Sequence, residues 1–134
     1  YGVFSEEMVE KLEIVQLPWS INAFSDGVSE FIFSDTDFIE NSKDYIAKER
    51  EYLLRELRKI EELTVFDTVV NYVLIKLNGF TDQEIFEKMA SKGILVRRCS
   101  NYLGLDDSFI RVAIKSRPDN EKLIAAFKES FSEM

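Results

Sequence analysis

Two arginines are the residues most able to do chemistry. In residues 109–115, Ile110, Val112 and Ile114 alternate with Arg111. Strand side chains alternate between faces, so the three aliphatics take the core face and Arg111 points away, with Phe109 and Ala113 beside it. In residues 94–97, Ile94 and Val96 share a face and Arg97 lies opposite. If the two strands are neighbours, both guanidinium groups leave one non-core surface. Two such forks suit a carboxylate or a phosphate, because each can donate two parallel charge-assisted bonds. Bonds of that kind contribute ~1.5–3 kcal/mol each. The alternative is that both arginines only make surface salt bridges, to Asp106, Asp107 or nearby glutamates.

Other reactive residues carry less. Arg98 should point opposite to Arg97 and make a surface salt bridge, and Arg117 should fix the loop before the last helix. Cys99 is the only cysteine and the chain has no histidine. Ser-His-Asp and Cys-His catalysis, histidine-based metal sites and four-ligand Cys/His zinc sites are therefore excluded. Cys99 has cationic neighbours but no base to activate it. Trp19 and Asn22, with Pro18 and Ser20, form a kink between two helices. Ser20 or Asn22 can cap the second helix, and Trp19 and Asn22 can alternatively line a cleft. The acidic residues are scattered, with no spacing for a metal cage or a glycosidase pair, and no phosphate-binding glycine loop is present.

The chain has 134 residues, 46% hydrophobic and 31% charged. It is long enough for one ordinary domain with a packed core. Lys+Arg is 17 against Asp+Glu 25, a net charge of −8. That balance argues against a nucleic-acid surface and a polybasic membrane anchor. No apolar run approaches the ~18 residues of a membrane span, and no signal-peptide pattern is present.

The elements that must position the arginines follow from periodicity. A short helix is capped by Ser5, with Met8, Leu12 and Val15 on one face, and ends at Pro18. A second begins near Ser20 or Asn22 and carries Ile21, Phe24, Val28, Phe31 and Ile32 at helical spacing. The longest helix opens in residues 34–37 and runs to about Ile60. Its inward stripe is Phe38, Tyr45, Ile46, Leu53, Leu57 and Ile60. Lys48-Glu49-Arg50-Glu51 is expected on its solvated face, with a Glu51–Arg55 pair one turn apart. Strands are expected at 64–66 and about 70–77. Thr81-Asp82-Gln83-Glu84 is a capping box before a helix with Ile85, Phe86 and Met89 inward, closed by Gly93. Strands at 94–97 and 109–115 follow. Pro118 and Asp119 start a last helix with Leu123, Ile124, Phe127 and Phe131 buried. The fold class is α+β: a small sheet with helices on one face.

Several segments carry a resemblance. Residues 92–106, KGILVRRCSNYLGLD, followed by Phe109-Ile110-Arg111-Val112-Ala113-Ile114-Lys115 and by Ser116-Arg117-Pro118-Asp119-Asn120-Glu121, resemble the C-terminal end of class I/II aminotransferases, pyridoxal-phosphate enzymes of fold type I. Pro18-Trp19-Ser20-Ile21-Asn22 and Asn71-Tyr72-Val73-Leu74 match two further stretches of the same family, in the same order. The nearest branches are threonine-phosphate decarboxylase of cobalamin synthesis and histidinol-phosphate aminotransferase of histidine synthesis. Arg98-Cys99, Ala113-Ile114-Lys115 and Pro18-Trp19 look more like the decarboxylase.

The resemblance implies the small C-terminal domain of a longer cytoplasmic enzyme, with lead-in helices in 1–33 and the small α+β domain in 34–134. It assigns Arg111 and Arg97 to the substrate carboxylate. It implies a homodimer acting on a small phosphorylated amino acid or amino alcohol. Pyridoxal 5'-phosphate would be bound by the full-length enzyme, through a lysine expected upstream. No catalytic residue, covalent cofactor or metal is assigned to this chain, which alone is expected to be inactive. Nucleic acid and membrane are not expected partners. The rival from another class is a stand-alone anion-binding or interaction module.

Overall fold

The computed structural model describes residues 2–17 and 21–132. Pro18, Trp19 and Ser20 lie outside the described residues, so the kink expected there and the cleft role of Trp19 are not described. The chain divides into two compact units, Tyr1–Ile39 and Glu40–Met134.

The first unit holds α1 (Glu6–Val15) and α2 (Ala23–Ser34). Ser5 stands at the N-cap of α1 with extended backbone, but its side chain makes no capping bond. Asn22 caps α2, its Oδ1 accepting from Ser25 N–H at 2.8 Å. Neither helix contains a buried residue. Phe24 and Phe31 are 78% and 77% exposed.

The helix α3 (Thr36–Leu57) begins in the first unit and runs into the second, where it brings Leu53 and Leu57 to the core, and Ile60 follows into it. Phe38 and Tyr45 do not join the expected inward stripe; both are exposed. A four-stranded antiparallel sheet has the order β1-β2-β4-β3, with β1 Leu63–Val65, β2 Tyr72–Leu77, β3 Arg97–Arg98 and β4 Phe109–Ala113. The helices α4 (Asp82–Ser91) and α5 (Arg117–Ser132) share one core with it. Val73, Ile75 and Leu77 of β2 and Ile110 and Val112 of β4 pack with Ile85 and Met89 of α4 and Leu123, Ile124 and Phe127 of α5. Alternation along β2 and β4 leaves the other face to Tyr72, Leu74, Lys76, Phe109, Arg111 and Ala113. The fold class is the α+β layer that periodicity implied.

The capping box at α4 is complete: Thr81 and Glu84 each bond the other's backbone N–H. Three strands are shorter than expected: β2 begins at Tyr72 rather than near residue 70, and β3 and β4 are each cut back by local bonds. Ile94 N–H donates to Met89 O at 2.9 Å, and Gly93 takes a φ of 76°. The chain is thus still closing α4 at residue 94, and β3 begins only at Arg97. At the other end, Asn120 takes both backbone groups of Lys115: Lys115 N–H donates to Oδ1 and Nδ2 donates to Lys115 O, each at 3.0 Å. Ile114 N–H still donates across to Asn71 O at 2.9 Å, and at Lys115 the Asn120 bonds take the place of the ladder, so β4 ends at Ala113.

The charge run on α3 is not uniformly solvated. Glu49 is 5% exposed. Arg117 Nε and Nη2 donate to its carboxylate at 2.9–3.2 Å, and Asn120 Nδ2 donates at 3.0 Å. Arg117 also lies over the Tyr52 ring, 3.6 Å from its centroid. A residue 68 positions away thus meets Glu49, which no reading of α3 alone could find. The Glu51–Arg55 pair is replaced by Arg55–Glu56 at 3.2 Å. Arg117 therefore opens α5 and fastens it to α3 rather than only fixing a loop.

Arg117 and Asn120 hold the Glu49 carboxyl below the ordinary carboxylate range, against burial, which pushes it up. Removing one partner leaves a buried charge. Arg117→Ala is expected to destabilise the second unit by about 2–3 kcal/mol in urea melts. A lowered native pKa gives stability that is present above the unfolded-state value and lost as pH falls through the native one. Comparing thermal melts of wild type and Glu49→Gln, the gap should therefore be full above about pH 5, the upper end of the ordinary carboxylate range, and narrow as pH falls below it through the depressed native value. A gap that is constant with pH would show that the charge of Glu49 is not what stabilises the packing.

Candidate functional site

The candidate site is the sheet face turned away from the core. In the β3–β4 ladder Arg97 stands directly opposite Arg111. Directly opposed residues place their Cβ atoms about 4.5–5.5 Å apart on one face. The expectation that both arginines leave one non-core surface is met. The alternative of surface salt bridges is not: among the described residues, no carboxylate lies within ion-pair distance of either one.

Each guanidinium is steadied without being neutralised. Arg111 lies over the Tyr72 ring, 4.5 Å from its centroid, and is half-buried. Arg97 lies over the Tyr102 ring at 5.3 Å, and its Nη2 donates to Asn101 Oδ1 at 3.1 Å. Stacking on a ring orients the planar fork and leaves its N–H edge free for a planar anion. Lys76, on the same face, sits 5.6 Å from the Phe109 ring centroid. The face is therefore cationic and aromatic in a chain whose net charge is −8. Like charges placed directly opposite destabilise a sheet by up to about 1 kcal/mol. A bound carboxylate or phosphate would relieve that repulsion.

Arg98 points to the other side, as alternation requires. Its Nε donates to Asp82 Oδ1 at 3.0 Å, and Nη1 donates to Gln83 Oε1. The partner is fully buried, so this is a half-buried pair rather than a surface one. Burial pushes the Asp82 carboxyl up, but bonds from Ser100 and Arg98 hold it below its ordinary value. Cys99 is 1% exposed. Burial pushes its thiol up, although Arg111 and Arg97 pull the other way. A buried thiol kept protonated is a poor nucleophile. Asn22 serves as a helix cap, with its Oδ1 turned to Ser25 N–H.

Four site residues were not singled out by sequence: Tyr72, Tyr102, Asn101 and Asp82. Tyr72 had a usable signal, since strand alternation sets it on the face opposite Val73. Tyr102 and Asn101 lie in a loop, where no periodicity applies. Asp82 was visible only as part of a helix cap.

The chain resembles known proteins over nearly its whole length. Residues 1–127 match the family "Aminotransferase class I and II". A putative threonine-phosphate decarboxylase from Caldanaerobacter subterraneus is 43% identical over 99% of this chain and 36% of its own length. A histidinol-phosphate aminotransferase from Methanopyrus kandleri is 32% identical over 96% of this chain and 34% of its own. Among solved structures, histidinol-phosphate aminotransferase from Clostridium acetobutylicum superposes with a TM-score of 0.90 at 35% identity, covering 97% of this chain and 39% of that one. The chain thus spans a little over a third of the length of the curated relatives it matches. It belongs to the class I and II aminotransferase family.

Proposed function

We propose that this chain is the C-terminal, carboxylate-binding domain of a threonine-phosphate decarboxylase-like enzyme, and that Arg111 and Arg97 hold the substrate carboxylate. The observation that carries the reading is the opposed arginine pair, stacked on two tyrosines with no carboxylate within ion-pair distance among the described residues. The 43% identity to a putative decarboxylase supports the choice of branch. On this reading the reaction needs the longer polypeptide, as a homodimer, and the 134 residues alone catalyse nothing.

Pyridoxal phosphate, when bound by such an enzyme, supplies an electron sink for bond cleavage at Cα. The face described above does not fit that cofactor by itself. Its donor set is two guanidiniums and one ammonium, and Asp106 beside β4 is taken up by Ser108 N–H and Oγ–H. Such donors can hold an anionic group, but among the described residues no free carboxylate stands with them to pair with a pyridine nitrogen; the planar, forked donors suit a substrate carboxylate. Two forks on one face bind it and fix the plane in which it lies, which in turn orients the other substituents at Cα. Loss of CO2 moves charge off the carboxylate, so the arginines bind the ground state at least as well as the transition state. They contribute affinity and orientation more than rate.

A second reading is histidinol-phosphate aminotransferase, favoured by the 0.90 TM-score at 35% identity. Histidinol phosphate has no carboxylate, so the arginine pair would then serve an amino-acid co-substrate such as glutamate. The full-length enzyme decides between them. Release of CO2 from O-phosphothreonine supports the decarboxylase. Amino transfer from glutamate without CO2 release supports the aminotransferase.

Whichever carboxylate is bound, Arg111→Ala is expected to raise its KM about 100-fold, with a smaller fall in kcat. The more exposed Arg97→Ala should cost about tenfold. Steady-state kinetics that show an unchanged KM in both variants would remove the carboxylate site.

A further inference from the structure

We infer that Asp82 is a positioning residue for this site, setting the direction of Arg97 through Arg98 and Ser100. The inference rests on the carboxylate reading of Arg97 and Arg111. Asp82 is fully buried at the first position of α4. One carboxylate oxygen accepts from Arg98 Nε at 3.0 Å, and the other accepts from Ser100 N–H at 3.2 Å. Its own N–H donates to Asp107 O, which anchors it to the loop before β4.

These bonds hold the chain at residues 98 and 100, on either side of Cys99. The strand β3 has only two residues, so its ladder alone does little to fix side-chain direction. Drawing Arg98 toward α4 sends Arg97 to the opposite face, where Arg111 stands. Fixing Ser100 also places the next two residues, Asn101 and Tyr102, which are the ones that steady the Arg97 guanidinium. A single carboxylate therefore sets both the arginine and its supports. Burying a carboxylate is costly until its partners offset the lost hydration. An apolar side chain of similar size would fill the space without that cost; what the carboxylate adds is direction.

The test uses the full-length enzyme and two ligands. O-phospho-L-threonine has amine, phosphate and carboxylate; O-phosphoethanolamine has the first two only. Asp82→Asn is expected to weaken O-phosphothreonine about tenfold and leave inhibition by O-phosphoethanolamine unchanged. Combined with Arg97→Ala, it should add nothing further. Equal weakening of both ligands, or an additive loss in the Arg97→Ala background, would mean that Asp82 only supports the fold and would overturn the inference. Should Asp82→Asn not fold, Arg98→Gln cuts the same link and must show the same selective loss; wild-type discrimination in that variant overturns the inference equally. Arg111→Ala, measured alongside, reports on the underlying reading. Weakening by Arg111→Ala with none by Asp82→Asn rejects the positioning role alone, whereas wild-type affinity in Arg111→Ala rejects the carboxylate site itself.

Discussion

The second unit depends on one buried carboxylate, Glu49 of α3, and the three donor groups that meet it. Arg117 and Asn120 sit at the start of α5, far along the chain, and both reach the same side chain. Asn120 also binds the backbone of Lys115, so the same constellation ends β4 and starts α5. Helix, strand end and helix are joined at one point. An apolar contact there would bury as much area, but it would not dictate where β4 stops. Because β4 carries Arg111, the end of that strand bears on the candidate site.

Strand alternation then divides the labour of the sheet. Ile110 and Val112 are drawn to the core, and the pleat sends Arg111 outward. Register does the rest. A shift of one residue between β3 and β4 would place Arg98 opposite Arg111 and turn Arg97 into the core side. The backbone bond from Cys99 N–H to Phe109 O and the clamp of Asp82 on both sides of Cys99 hold the pairing as it is.

How much of this was legible in the sequence depends on whether the cause was local. The capping box of α4, the period-two pattern of β4 and the buried stripe of α5 are written in neighbouring residues, and the structure follows them, except that Phe131 at the end of the stripe is only half-buried. So does the face on which Arg97 and Arg111 lie. The burial of Glu49 was not legible, because a glutamate in a run of charges reads as solvated unless its distant partners are known. The strand ends were misplaced for a similar reason. Side chains and helix-closing bonds took over backbone groups that propensity alone would assign to the ladder. Phe38 and Tyr45 keep helical spacing, yet spacing shows only that residues share a face, not that anything covers it.

The charge pattern joins these threads. A chain with 25 acidic residues and 17 basic ones should neutralise its arginines readily. Yet several carboxylates near the sheet and its helices are already engaged. Glu49 is held by Arg117 and Asn120, and Asp82 by Arg98 and Ser100. Glu84 accepts from Thr81 N–H and Oγ–H, and Asp106 accepts from Ser108. All four carboxyls lie below their ordinary values, so each is committed as an anion to local donors. Among the described residues, Arg97 and Arg111 are left with aromatic rings, an amide oxygen and no anion. An opposed pair of cations kept free in an acidic chain stores repulsion that internal salt bridges could have removed. A ligand that brings its own carboxylate gives that arrangement a physical purpose.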